Sequence, residues 1–402
     1  MFYDSSANSL SVFESDLSSV QNFGEKSFPS SLTKFNASLS GLTNGNKLFN
    51  NCSQMTSLNV GSLEKLQQGA SMFGGCEGIG TWELDMKALK NGSGMFSGCN
   101  ELTYFNSHIG VMTDGSEMFV SDQKLQTAYV HLASLTNGNR MFYYCTALEH
   151  FTKSETKNET VVPVDLGKLT DGTEMFASCS ALKTFYSTLP SLTNGYRMFA
   201  STGLTSFSQG NTMDELVNGT RMFEGCSSLG NVEITVSKLV DAFEMFKNTS
   251  SLTNTSYDSV SSNIKITTSY ATLSNAAGMF AYSSIASFSE ANCSLTSVKN
   301  GKDMFYKCGK LTSFTGKLNS LLTGHLMFCD CKLDSNSLNY IKSYINDISS
   351  YIEWPEVDDA SPVFKGSETW QYDCWTDTPT ATVTEGDGES TTNITKVTIP
   401  ED

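Results

Sequence analysis

Cysteine and histidine are the side chains of this 402-residue chain that could carry chemistry, and their placement decides which chemistry. Eight of the eleven cysteines lie three residues after a phenylalanine that recurs along the chain. The four histidines stand beside no nucleophile motif, and the sequence holds no phosphate-binding, dinucleotide-binding or zinc-protease motif. The nearest approach to a metal cluster is Cys329 and Cys331 with His325. Since Cys331 is one of the eight recurring cysteines, we predict no metal site there. Because the catalytic and cofactor-binding motifs are missing as well, we predict no enzyme and no cofactor.

The recurring phenylalanine belongs to a repeat that must position these side chains. Met-Phe pairs end at eleven positions from Phe73 to Phe328, and Leu48-Phe49 adds a twelfth. Successive phenylalanines are 23 to 25 residues apart, except for two gaps of 34. The unit reads L-x-x-L-x-N-G-x-x-M-F-x-x-C-x-x-L-x-x-F. A fixed period of this length is typical of a solenoid.

Each part of the unit predicts a local structure. Asn or Asp five residues before the Phe can open a turn as an N-cap does, so the segment from Asn to Cys predicts one or two helical turns. The short aromatic stretch around L-x-x-F predicts a strand. We therefore expect an α/β solenoid, a leucine-rich repeat of about 12 coils of 23 residues, with one short strand and one short helical turn per coil. Stacked coils would lie about 4.8 Å apart.

Stacking places the eight cysteines in one interior ladder. Parallel side chains that point the same way disfavour the disulfide torsion. Four coils carry another residue at this position: Asp122, Thr202, Thr249 and Ser283. We therefore expect reduced thiols that act singly as small buried residues, with scattered disulfides or a metal site as the less favoured alternatives.

The multi-copy motif L-x-x-L-x-N-G-x-x-M-F-x-x-C-x-x-L-x-x-F, over about residues 15 to 334, resembles the BspA-type leucine-rich repeat. That unit has an A-F-x-x-C centre; here Met replaces the small residue before Phe, and Asn-Gly replaces the usual Ile-Gly. The resemblance implies a curved solenoid with ligand contacts on an exposed strand face. It also implies a bacterial, phage or protist surface molecule that acts in adhesion.

Composition sets the partners that the chain can take. Asp and Glu number 42 against 26 Lys and Arg, a formal charge of −16, so binding to nucleic acid lacks its main energetic term. No apolar run of about 18 residues is present, so we expect no membrane insertion. The first coil shows no polar cap. We expect a partner chain at that coil, or a truncation or natural start at a repeat methionine.

The predicted domains are residues 1–334 for the solenoid, 335–375 for a helical C-terminal cap with an appendage, and 376–402 for a Thr-rich acidic tail. Asp334 or Ser335 is the predicted N-cap of the helix. The two long units insert polar segments at 152–162 and 253–264, as loops with or without a binding role. The acidic stretch at 385–389 lacks the ligand spacing of a calcium loop.

Outward positions of the predicted strands give the candidate binding residues. Side chains alternate along a strand, so the residues eight and ten after each Phe face outward, and aromatic ones concentrate between 104 and 186. The candidates are Tyr104, Tyr129, His150 and Tyr186. Tyrosine suits protein or glycan contacts, although it also simply favours strands.

From these positions we predict a non-enzymatic, adhesin-like module at the cell surface or outside the cell. It would bind a host or cell-surface protein or glycan through the strand face. The alternative is a structural, fibre or receptor-binding component of a phage virion.

Overall fold

A computed structural model describes residues 10–153, 162–253, 264–267, 272–347, 380–385 and 388–393. Its elements are twelve short strands, one helix and a terminal strand pair: β1 (Val12–Glu14), β2 (Lys34–Asn36), β3 (Ser57–Asn59), β4 (Thr81–Trp82), β5 (Tyr104–Ser107), β6 (Thr127–Val130), β7 (His150–Thr152), β8 (Ser206–Thr212), β9 (Asn231–Thr235), β10 (Ile264–Thr267), β11 (Ser287–Ser289), β12 (Ser313–Thr315), α1 (Ser335–Asp347), β13 (Thr380–Glu385) and β14 (Gly388–Asn393).

The strands β1 to β12 pair in parallel with strands of adjacent coils, with breaks after β3, β7 and β10. They form sheets β1–β3, β4–β7, β8–β10 and β11–β12. Equivalent repeat positions face each other, as Phe35 faces Leu58 and Phe105 faces Ala128. The predicted solenoid of about 12 turns with a 23-residue spacing is therefore confirmed. The last two strands, β13 and β14, pair with each other in antiparallel orientation.

A column of phenylalanine rings fills the interior. The twelve repeat phenylalanines from Phe49 to Phe328 stack with centroids 5.1–5.7 Å apart. The strand aromatics pack edge-on against this column, as Phe105 does at 4.7 Å from Phe119. Offset and edge-to-face contacts of this kind add stability beyond the area that they bury.

One contact between coils explains why the unit carries glycine four residues before the Phe and methionine one residue before it. A Cβ atom added to Gly45 would lie 2.7 Å from the Met72 sulfur, and one added to Gly172 would lie 2.7 Å from the Met198 sulfur. In most coils the methionine of the following coil therefore packs into the space beside this glycine, and two coils carry alanine, the next smallest residue, at the same position. A small residue at this position thus allows neighbouring coils to approach closely.

The segment from Asn to Cys is a series of tight turns and not the expected helical turn. Residues two before and two after the Phe have φ between +51° and +73° in all twelve coils. Alternate amides leave the coil and donate to the next one at 2.7–2.9 Å: Gly45 to Gln68, Lys47 to Ala70, Phe49 to Met72 and Asn51 to Gly74. The amides between them close four-residue turns, each donating to the carbonyl three residues earlier. A helix would need all of these donors within one coil.

The amide residue five before the Phe forms a second ladder. The Asn44 side chain accepts from the amide of Asn46 at 3.1 Å, as the sequence predicts for a turn-opening residue. Across coils, the Asn137 side chain donates to Asp114 at 3.1 Å, and the Asn218 side chain to Asn194 at 3.0 Å. These side chains therefore tie successive turns together.

The cysteines at the repeat position are buried and free, as predicted. In most coils the thiol donates to the carbonyl of the preceding coil's Phe, as Cys145 does to Phe119 at 3.0 Å and Cys226 to Phe199 at 3.0 Å. Cys329, outside the ladder, is disulfide-bonded. The ladder thiols thus serve as small hydrogen-bond donors within the core.

Helix α1 follows the last coil. The Asp334 carboxylate accepts from the amide of Ser337 at 2.7 Å, so the predicted N-cap is confirmed. Ile341 is buried against the core. The Ser337 hydroxyl accepts from the amide of Phe314 in β12 at 2.9 Å. Several predicted segments lie outside the described residues. They are the appendage at 354–375, most of both insertions, and Gly386 and Asp387 of the acidic stretch.

Candidate functional site

Three of the four candidate binding residues, Tyr104, Tyr129 and His150, lie on the sheet β4–β7. The ladder Tyr104–Thr127–His150 runs across β5, β6 and β7, and the ladder Asn106–Tyr129–Thr152 runs beside it. The rings of Tyr104 and Tyr129 pack edge to face with centroids 5.5 Å apart. The fold therefore brings three of the four candidate residues onto adjacent strands.

Tyr129 differs from the expectation, because it is buried, with only 7% of its surface exposed. It lies between Asn106 and Thr152 on the flanking strands, and the Tyr104 ring covers one edge. Strands at a spacing of about 4.8 Å leave little solvent between neighbouring side chains of this size. Tyr129 thus supports Tyr104 more than it presents a surface of its own.

His150 lies on β7 at the edge of the same sheet, and Tyr186 belongs to the coil that follows. His150 is exposed, 3.8 Å from the carboxylate of Glu149. Tyr186 is half-buried in the following coil, where Phe185 stacks on Phe151 at 6.1 Å. That coil has no assigned strand at Tyr186, so this residue stands apart from the paired strands.

A cavity that the sequence did not predict opens beside these tyrosines. It has a volume of about 340 Å³. Its lining comes from three successive coils and combines carboxylate, amide, imidazole, hydroxyl and apolar groups: Gly61, Ser62, Leu63, Glu64, Glu83, Leu84, Asp85, Asn106 and His108. The only sequence signal for it was the outward position of Glu83 and Asn106, ten residues after the Phe of their coils.

Charged groups on the cavity wall form one chain of contacts. The Lys87 ammonium lies 3.0 Å from Glu64 and 3.3 Å from Asp85. The other Asp85 oxygen contacts the His108 ring nitrogen at 2.8 Å and accepts from the His108 amide at 3.0 Å. Burial raises the pKa of Asp85, but these contacts with His108 and Lys87 outweigh it and hold that pKa below its usual value.

Two of the four histidines, His108 and His131, lie side by side although they belong to different repeats. The rings of His108 and His131 stack with centroids 4.4 Å apart, because both follow strands of adjacent coils. Among the described residues, no group of three or more His, Cys, Asp or Glu side chains could hold a metal ion.

The Tyr104 hydroxyl lies among cavity groups. Burial raises the pKa of Tyr104, and the charges of Tyr129 and Glu83 raise it further, whereas a hydrogen bond with Asn106 lowers it. The side chains of Tyr104, Glu83 and Asn106 therefore lie close together at the border between the tyrosines of β5 and β6 and the cavity.

Within the described chain, no helix is long and apolar enough to cross a bilayer.

Comparison with known proteins addresses the fold family. A solved structure of a leucine rich cell surface protein from Faecalibacterium prausnitzii A2-165 is 17% identical, with a TM-score of 0.28 over 62% of this chain and 76% of that one. A leucine-rich repeat protein from Bacteroides ovatus ATCC 8483 is 18% identical, with a TM-score of 0.44 over 86% of this chain and 92% of that one. No curated protein matches.

The family model described as the BspA type leucine rich repeat region (6 copies) matches residues 1–80, 45–161 and 168–272. These ranges cover more than half of the sequence, and so the chain belongs to the BspA-type leucine-rich repeat family.

Proposed function

We propose that this chain is a non-enzymatic, adhesin-like binding module that acts at a cell surface or outside the cell. It recognises a protein or glycan through the exposed face of its strands. The observation that carries the proposal is the group of aromatic side chains on β5 to β7, where Tyr104 packs on Tyr129 beside His150.

The chemistry of this group suits recognition. Tyrosine loses little conformational entropy on binding, and it offers both an apolar ring and a hydroxyl. Tyr104 already rests against Tyr129, so its ring is held in place before a ligand arrives. A preformed contact surface reduces the ordering cost that would otherwise lower affinity.

The thiols, the other reactive groups, are unsuited to catalysis. Burial raises the pKa of Cys226 to about 11 and that of Cys52 to about 12. A nucleophilic cysteine needs a lowered pKa and access to substrate. The described ladder cysteines have neither.

The proposal is tested with a triple variant of Tyr104→Ser, His150→Ser and Tyr186→Ser, which leaves the buried Tyr129 in place. Binding to epithelial cells, immobilised matrix proteins and a glycan array is measured by fluorescence of the labelled protein. Loss of two or three aromatic contacts should weaken binding by at least about tenfold.

The matched control is Tyr144→Ser, since Tyr144 is 43% exposed but lies on the turn side of the solenoid. This variant should bind as the unmodified protein does. Equal binding by all three proteins would refute a role of the strand face.

A further inference from the structure

The cavity beside Tyr104 has the size and lining of a ligand site. Ligand pockets typically measure about 300–1,000 Å³, and this one, at about 340 Å³, lies at the small end. We propose that it is a subsite for one neutral pyranose ring of a glycan. This inference rests on the proposed function and names the ligand class that the strand face would take.

The repeat itself positions the two central groups. Thr81 and Trp82 in β4 pair with Tyr104 and Phe105 in β5, so the next residues, Glu83 and Asn106, occupy equivalent places on adjacent coils. Side chains at such places are about 4.8 Å apart. A carboxylate and an amide at this distance can each hydrogen-bond to a different hydroxyl of one sugar ring.

Most other charged side chains at the cavity form ion pairs with each other. Lys87 lies between Glu64 and Asp85, and Asp85 also holds His108. In the described part of the chain, Glu83 has no such ion pair. Its carboxylate therefore keeps its acceptor capacity for a ligand.

The lining mixes donors and acceptors, which selects the chemistry of the ligand. Glu83 accepts, Asn106 both donates and accepts, and the Ser62 hydroxyl can do either. The Tyr104 hydroxyl lies beside this lining, where it interacts with Asn106. A sugar hydroxyl likewise donates and accepts, so each can be matched here. An ammonium or guanidinium group can only donate, and the Lys87 ammonium already lies against two of the three carboxylates.

Apolar parts of the cavity fit the other side of a sugar. Leu63 and Leu84 line it, and the stacked rings of His108 and His131 stand at its border. A pyranose ring has a C–H face that packs against such surfaces. Acidic sugars are disfavoured, because three carboxylates line the cavity and the chain carries a formal charge of −16.

The test uses saturation-transfer NMR on the full chain. The neutral probes are the methyl glycosides of galactose, glucose, mannose, fucose and N-acetylglucosamine, and the charged probes are methyl sialoside and arginine amide. We expect transfer to at least one neutral glycoside. Glu83→Gln and Asn106→Ala should each weaken that binding by about tenfold or more, since each removes a hydrogen bond to the ligand.

Glu233→Gln is the matched control, because Glu233 occupies the same repeat position on β9, where it pairs with Lys265 at 2.8 Å. It should bind the glycoside unchanged. Thermal unfolding of all variants checks that the substitutions at the exposed Glu83 and Glu233 and at the half-buried Asn106 leave the fold intact.

Three results would overturn the inference: no transfer to any neutral glycoside, transfer to arginine amide or methyl sialoside alone, or equal binding by Glu83→Gln and Glu233→Gln. The proposed function has a separate outcome. If the strand-face triple variant loses binding to a protein ligand while no glycoside binds, the binding module stands and the sugar subsite fails. If the unmodified protein binds no cell, protein or glycan, both fail.

Discussion

Asp122 occupies the repeat position where eight coils carry cysteine, and it is fully buried. A cysteine there donates to the carbonyl of the preceding coil, as Cys99 does to Phe73 at 3.3 Å. An ionised carboxylate cannot donate, and neither Asp122 oxygen makes a hydrogen bond of good geometry, although the amides of Cys99 and Gly98 lie close enough to favour its charge. Burial therefore raises the pKa of Asp122 well above its usual value, and the amides of Cys99 and Gly98 offset this only in part.

Replacement of Asp122 by Cys should stabilise the protein, and more so at neutral than at acidic pH. A pKa that is raised in the folded state leaves stability intact below the unfolded value near 3.9. Above that value, stability falls by up to about 1.4 kcal/mol per pH unit, until the folded pKa is reached. Urea unfolding at pH 4 and pH 7 should show a larger advantage of Asp122→Cys at pH 7.

Two further variants separate charge from packing at this position. Asp122→Asn removes the titration but keeps the shape, so it should also flatten the pH dependence. Asp165→Asn, at an exposed turn, should leave the pH dependence of the unmodified protein in place. An advantage of Asp122→Cys that does not change between pH 4 and pH 7 would show that the folded carboxyl ionises normally.

At the scale of the element, the turn segment depends on two left-handed residues per coil. Glycine fills few of these places; Lys47, Arg140 and Ser201 hold φ values of +53°, +53° and +57°. Each costs some strain for a residue with a Cβ atom. The cost is offset because this backbone aims alternate amides at the next coil, as Ser201 donates to Glu224 at 2.7 Å.

Ser201 gives a direct test of this strain, because its side chain is exposed. Ser201→Val should destabilise the protein by about 1–2 kcal/mol, since a β-branched residue is strongly disfavoured at positive φ. Ser201→Gly should be neutral or slightly stabilising. Thermal unfolding measures both, with Thr184→Val, an exposed position without positive φ, as the control. Equal effects of valine at 201 and 184 would argue against backbone strain.

The elements show how far sequence reasoning reaches. The Phe period predicts the coils and their register, because each coil must bury the same side chains against its neighbours. The type of turn was missed, because side chains such as Lys47 and Arg140 occupy positive φ without the glycine that normally marks it. Strand alternation placed Tyr104 and Tyr129 on the outer face. It could not reveal the burial of Tyr129 or the cavity, which depend on how neighbouring coils fill the space.

At the scale of the molecule, coupling between coils passes through nearest neighbours alone. The strand ladder is interrupted between β3 and β4, between β7 and β8, and between β10 and β11. The break after β7 is the widest, because the coil of Phe176 carries no assigned strand. The turn side continues across this junction, where the Phe142 amide donates to Met175 at 2.8 Å and its ring stacks on Phe176 at 5.4 Å. At this break the two halves of the solenoid are therefore joined without paired strands.

Phe142→Ala should uncouple these halves. Removal of a buried phenylalanine costs about 3–5 kcal/mol, and here the loss falls on a junction that already lacks paired strands. Urea unfolding followed by circular dichroism should change from one transition to two, and hydrogen exchange should increase first in the coils beside Phe142. Phe305→Ala removes an equally buried ring near the end of the column, in the coil whose strand β12 pairs with β11 of the coil before it. It should lower stability at that end without dividing the transition. A single transition of unchanged steepness in Phe142→Ala would mean that the ladder of turn hydrogen bonds alone couples the whole solenoid.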